Sequence, residues 1–165
     1  MANLDSLEIN NEYFTCKEAW MDVLHHLDRS KIYLDPFYGD GGNIQNLRDL
    51  GLNVIGADLD CFELLRNLNF DVIITNPAFS KNILTEFLYN LSSLDKPFII
   101  ILPITKIFSK YFKTAFRQYK SIQLIIPKNR MRFNDPRRPG KKSNPSFVCA
   151  YITYKLDLPS DILFL

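Results

Sequence analysis

The sequence predicts an α/β domain built on a mostly parallel sheet. Short apolar, β-branched runs alternate with segments of helical periodicity along almost the whole chain. Three of these runs end in polar chemistry, at Asp35, Asp58 and Asn76. An open parallel sheet places its ligand there, beyond the carboxyl ends of its strands. Only 12 residues, Leu59 to Phe70, separate the second strand from the third. A helix–strand–helix passage does not fit in that length, so the sheet is expected to be trimmed at one edge.

Each element has its own signal. Thr15 to Leu27 sets Ala19, Trp20, Val23, Leu24 and Leu27 at helical spacing, and Thr15 with Glu18 reads as a capping box. Lys31 to Leu34 is a short strand, ended by the turn-rich Asp35-Pro36-Phe37-Tyr38-Gly39-Asp40-Gly41-Gly42. Asn43 to Leu50 is a helix closed by Gly51. Asn53 to Ala57 and Asp71 to Thr75 are strands, and Lys81 to Leu91 is helical. Phe98 to Leu102 is a buried strand stopped by Pro103, and Phe108 to Tyr119 is an amphipathic helix mixing Lys with aromatics. Ile122 to Ile126 and Phe147 to Tyr154 complete the strands. Asn134 to Pro145, rich in Pro, Arg and Lys, reads as a mobile loop.

Composition narrows the class. The 165 residues suit one domain over 1–165, and 47% hydrophobic with 13% aromatic content excludes global disorder. Cys16, Cys61 and Cys149 are far apart and form no CxxC pair. That excludes a disulfide framework and a structural zinc site, and points to a reducing, cytoplasmic setting. The opening MANLDSLEINNEYF is acidic and polar, unlike a signal peptide. The longest apolar run, Phe147 to Ile152, is too short to cross a bilayer, so no membrane partner is expected.

Charge is distributed unevenly. Residues 1–105 carry 7 Lys/Arg against 15 Asp/Glu, whereas residues 106–142 carry 12 Lys/Arg against one acid, Asp135. Solvated faces usually mix signs. A block this one-sided reads as the footprint of a polyanion.

Two segments carry chemistry. The glycine loop from Asp35 to Gly42 follows a strand and precedes a helix, where glycines let the backbone approach a ligand. It is neither GxGxxG nor GK[ST], which disfavours a dinucleotide and ATP hydrolysis. Its acids suit a ligand with positive charge, and Asp58 can accept from ribose hydroxyls. The second segment, Asn76-Pro77-Ala78-Phe79, puts an amide, a rigid Pro and an aromatic ring at a buried strand's end. An amide oxygen and a peptide carbonyl can accept both protons of a planar amino group, and Phe79 can stack on a flat base.

In that order, the glycine loop, Asp58 and the Asn-Pro-Ala-Phe segment resemble the motifs of S-adenosylmethionine-dependent amino-group methyltransferases. Among these, the chain is similar to small phage-type N6-adenine DNA methyltransferases over residues 13–155. The resemblance implies a Rossmann-like class I fold with an antiparallel C-terminal strand. It implies that Tyr13, Phe14 and Thr15 line the methionine part of the cofactor. Asp35, Pro36, Phe37, Gly39 and Gly41 would form the cofactor loop, Asp58 would bind the ribose, and Asp60 and Phe62 would lie near the adenine ring. Asn76, Pro77 and Phe79 would be catalytic. Arg132-Phe133 and Pro145-Ser146-Phe147 resemble the family's C-terminal part, where an aromatic, here Phe133, packs on the flipped base. No target-recognition domain is expected. Ala78 departs from the family's second Pro, Cys16 from a Pro after Thr15, and Gly42 from a Thr or Ser.

The expected substrate is the adenine N6 amino group in DNA. Lys106, Lys110, Lys113, Arg130, Arg132, Arg137, Arg138, Lys141 and Lys142 are the expected phosphate contacts, with residues 134–145 ordering on nucleic acid. Specificity would come from the basic Lys128–Lys142 loop or from a protein partner, or else be weak. The same chemistry serves RNA bases, at adenine N6 or guanine N2, and a protein Gln side chain. The basic block argues against a protein substrate but does not separate DNA from RNA. A non-catalytic subunit that binds the cofactor or nucleic acid is a different class, favoured by Ala78 and the short Leu59–Phe70 stretch. His25 and His26 read as surface or cap residues rather than metal ligands, and Trp20 and Cys61 as core.

Overall fold

The computed structural model describes residues 13–57, 62–118, 121–135 and 137–165. Its main sheet is built from β2 (Ile32–Asp35), β3 (Asn53–Gly56), β4 (Val72–Thr75), β5 (Phe98–Pro103), β6 (Ile122–Ile126), β9 (Cys149–Tyr154) and β10 (Ile162–Phe164). The seven strands run in the order β10-β6-β9-β5-β4-β2-β3. All neighbours are parallel except β9, which is antiparallel to both β5 and β6. The helices are α1 (Lys17–Val23), α2 (Gly42–Asp49), α3 (Lys81–Leu94) and α4 (Lys110–Phe116).

The sequence explains the layering. β5 lies between β4 and β9 and is buried along its whole length, so it reads as the continuous apolar run Phe98 to Leu102. α3 sets Leu84, Phe87, Leu88 and Leu91 on one buried face, and Asp95 ends it in the left-handed conformation, φ 51°. Gly51, at φ 85°, turns the chain after α2. A short 3₁₀ segment, Phe62–Asn67, makes the passage from β3 to β4, and β3 is the outermost strand on its side. The expected trimmed edge lies there. No helix among the described residues is long and apolar enough to cross a membrane.

Three local expectations are corrected. Thr15 belongs to β1 (Phe14–Thr15), and Cys16, in extended conformation and without a side-chain cap, precedes α1. Glu18 pairs instead with Lys142 at 2.8 Å. The anticipated Phe108–Tyr119 helix begins later, because the chain first makes a 3₁₀ turn, Ile104–Phe108. Ser109 then caps α4 by accepting from the Phe112 amide. Tyr119 lies outside the described residues.

The third correction concerns residues 134–145. β7 (Phe133–Asn134) and β8 (Lys142–Ser143) pair there as an antiparallel hairpin that docks on β1. Asp135, 3% exposed, fixes the hairpin. Its carboxylate accepts from the Arg137 amide at 3.0 Å and from the Nε of Arg137 and Arg138 at 3.2 and 2.9 Å. The segment expected as a loop thus includes a paired strand element, with Asp135 bonded to two arginines that follow it.

Candidate active site

The carboxyl ends of β2 and β4 meet in a cavity of about 320 Å³. Asp35, the last residue of β2, is 1% exposed. Its Oδ1 accepts from Thr75 Oγ1 at 2.6 Å and from the Phe37 amide at 3.0 Å, and its Oδ2 accepts from Asn43 Nδ2 at 2.6 Å. Burial pushes its carboxyl up to about 6, against the hydrogen bonds from Thr75, Asn43 and Phe37, which hold it down. Asn43 is itself held, because the Trp20 indole donates to its Oδ1 at 2.6 Å.

The loop after Asp35 needs its glycines. Gly39 and Gly41 adopt φ 54° and 78°. A Cβ at Gly41 would meet the Tyr38 hydroxyl at 3.2 Å and its ring at 3.4 Å. Gly41 precedes α2 as its N-cap, and the Gly42 amide donates to Asp40 Oδ1 at 2.9 Å. Negative carboxylates therefore sit both inside the loop, at Asp35, and on it, at Asp40.

Asn76 follows β4 directly. Its Nδ2 donates to the Tyr13 carbonyl at 2.6 Å, and its Oδ1 is buried without a hydrogen-bond partner among the described residues. Phe79, 9% exposed, lies near-parallel to the Tyr13 ring, with centroids 6.2 Å apart and planes 26° apart. Phe147 stands edge-on to both rings, at 5.0 Å from Tyr13 and 5.4 Å from Phe79. On the other side of the cavity Phe62 packs on Phe37 at 5.1 Å, and both rings contact Phe87.

The cavity brings together Tyr13, Phe14, Thr15, Asp35, Pro36, Phe37, Gly39, Phe62, Asn76, Pro77 and Phe79. Gly41 shapes the loop from behind. Asp58 and Asp60 lie outside the described residues. Phe133 is 0% exposed beneath the Tyr13 ring, at 5.7 Å, so its face is not open to a base as the sequence suggested. Phe147, named in the sequence only as part of a motif, is the C-terminal aromatic that meets Phe79. Asn43, which the sequence reading did not single out, also lines the cavity. Its signal was its place just after Gly41-Gly42, facing back to the strand end.

The basic residues differ in how they are engaged. Arg130 donates to the carbonyls of Pro145 and Phe147. Arg137 and Arg138 pair with Asp135, and Lys142 pairs with Glu18. Among the described residues, the side chains of Lys106, Lys110, Lys113, Arg132 and Lys141 form no hydrogen bond or ion pair. No group of His, Cys, Asp and Glu among the described residues could hold a metal ion.

No protein-family model matches the chain. No curated protein sequence matches it either. Solved structures do match. The modification subunit assigned to a type I restriction enzyme of Vibrio vulnificus YJ016 aligns over 90% of this chain and 45% of its own, at 14% identity and a TM-score of 0.52. The chain thus spans less than half of that subunit. Precorrin-6y C5,15-methyltransferase of Geobacter metallireducens GS-15 aligns over 88% of this chain and 95% of its own, at 12% identity and 0.52. A SAM-dependent O-methyltransferase of Thermotoga maritima aligns over 90% and 69%, at 10% identity and 0.51. At these identities the likeness is one of architecture: the chain has the Rossmann-like fold of class I methyltransferases, with β9 as the antiparallel strand.

Proposed function

We propose that the chain is an S-adenosylmethionine-dependent N-methyltransferase that acts on the N6 amino group of adenine in DNA. The observation that carries this reading is the Asn76 side chain. Its nitrogen is committed to Tyr13, which leaves a buried acceptor oxygen with nothing to accept from among the described residues. A buried acceptor without a partner is costly, and an amino group entering the cavity would satisfy it.

The residues present fit the cofactor. Asp35 and Asp40 offer carboxylates to a cation, Phe37 and Phe62 offer an aromatic wall, and the positive-φ glycines keep side chains out of the loop. Tyr13, Phe14 and Thr15 would close the methionine end. When bound, this cofactor supplies an electrophilic methyl group on a sulfonium.

The chain's own part is positioning. Asn76 Oδ1 and the Pro77 carbonyl accept the two protons of the amino group and turn the nitrogen lone pair toward the methyl. Phe79 stacks on the base, with Phe147 at its edge. Neither group removes a proton during transfer, and the surplus proton leaves to water afterwards. The cations without internal partners among the described residues and outside the α1 groove, Lys106, Lys110, Lys113 and Lys141, supply phosphate contacts.

The test is transfer of radiolabelled methyl to unmethylated DNA, RNA and protein in parallel, with Asn76→Ala as control. Label recovered from DNA as N6-methyladenine, and lost in the variant, is expected. Label in RNA or protein would keep the mechanism and replace the substrate. No transfer to any of them, with the cofactor bound, would overturn the catalytic reading in favour of a binding subunit.

A further inference from the structure

A second cavity, of about 700 Å³, adjoins the first across β1: Thr15 lines one and the next residue, Cys16, lines the other. α1 forms one wall with Glu18 and Asp22, which share a helix face at i, i+4. The chain after β6 and the end of the hairpin form the other, with Asn129, Arg132, Lys142 and Asn144. Buried Ala19 and Met131 give the cavity an apolar lining between the polar walls.

The side chains of Asp22, Asn129, Arg132 and Asn144 form no hydrogen bond or ion pair among the described residues. All four are exposed. Their chemistry is mixed. A phosphate site gathers cations and excludes carboxylates, whereas this groove sets Glu18 and Asp22 opposite Arg130, Arg132 and Lys142. Base edges present donors and acceptors side by side. An arginine fork matches guanine, an asparagine amide matches adenine, and a carboxylate accepts from an exocyclic amino group. The apolar lining suits a base face or a thymine methyl.

The groove is also coupled to the catalytic cavity. Arg130, on its wall, donates to the Phe147 carbonyl at 3.2 Å, and the Phe147 ring meets Phe79 at 5.4 Å. From these features we infer that the groove reads the base edges of nucleotides flanking the target base, and so supplies sequence specificity from within this fold. This rests on the reading of the substrate as nucleic acid given above.

The experiment uses the full chain and a pool of DNA duplexes randomised around a single adenine. Bound and unbound fractions are sequenced, which requires no cofactor. The wild type is expected to enrich particular flanking bases. In Asn129→Ala/Asn144→Ala, the affinity ratio between enriched and depleted flanks is expected to fall about tenfold, as for a lost base contact. An unchanged ratio overturns the proposal. So does a uniform fall in affinity for all sequences, which would mark the groove as a phosphate contact. A wild type without flank preference also overturns it, and would leave the groove to a protein segment. The methyl-transfer reading fails separately: a flank preference that the double variant flattens, in a chain that transfers no methyl, would sustain the groove and remove the enzyme.

Discussion

The Asn76 side-chain amide donates to the Tyr13 carbonyl across 2.6 Å. That bond joins the strand end that carries the Asn-Pro-Ala-Phe segment to the chain entering β1, and it fixes the orientation of the amide at the cavity. Asn76→Ala is therefore expected to abolish methyl transfer while leaving cofactor binding within a few-fold. The stability loss should be about 1 kcal/mol, the net worth of one hydrogen bond. Isothermal titration with the cofactor and a transfer assay on the same preparation check both halves. A variant that loses both functions together would point to a collapsed site instead.

Asp35 makes stability depend on pH in an unusual direction. Its folded-state value is about 6 against an ordinary 3.8, so the folded chain holds this proton more tightly than the unfolded chain. The favourable contribution is complete below the ordinary value and is lost as pH rises through about 6. The upper bound on the change is about 3 kcal/mol for a shift of this size. Thermal unfolding of wild type and Asp35→Asn between about pH 4 and pH 7 isolates it, because other groups cancel in the comparison. The wild type should lose stability relative to the variant across that window. Parallel curves would show that the carboxylate is ionised without penalty.

Trp20 acts on the site at one remove. Its indole holds Asn43, and Asn43 holds Asp35. Trp20→Phe keeps an aromatic ring in the core but leaves Asn43 Oδ1 without its donor. The expected cost is about 1–3 kcal/mol for the orphaned acceptor, with a several-fold loss of cofactor affinity as Asp35 gains freedom. Trp20 is the one tryptophan in the chain, so unfolding must be followed by circular dichroism rather than fluorescence. Unchanged affinity with reduced stability would confine Trp20 to packing.

What the sequence revealed tracks how local the cause is. β4 and β5 were legible because apolar runs buried on both faces need no partner information. Asp35, Asn76 and the glycine loop were legible because strand-end chemistry and turn residues lie within a few positions of each other. The hairpin β7–β8 was not, since two-residue strands have no periodicity and depend on Asp135 gathering two arginines. Glu18 misled for the same reason: a local capping box competed with Lys142, a partner 124 residues away, and lost. Phe133 and Phe147 are both aromatics near a basic stretch, and only the docking of β7 on β1 decides that Phe133 is buried.

Adjacent lysines on the hairpin should behave differently toward DNA. Lys141 has no ion-pair partner among the described residues, whereas Lys142 sits 2.8 Å from Glu18 Oε1. A cation already neutralised by a carboxylate releases little counterion when it nears a phosphate, so its deletion barely alters the salt dependence. Lys141→Ala is expected to reduce the slope of log affinity against log salt by about 0.9, one phosphate contact, and Lys142→Ala to leave it nearly unchanged. Glu18→Gln should raise the slope, because it frees Lys142 for the backbone. Fluorescence anisotropy of a labelled duplex between about 50 and 200 mM salt covers the range in which such slopes are steep. Equal losses from the two lysine variants would mean that the Glu18 pair opens on binding, and the Glu18→Gln slope would then match that of the wild type.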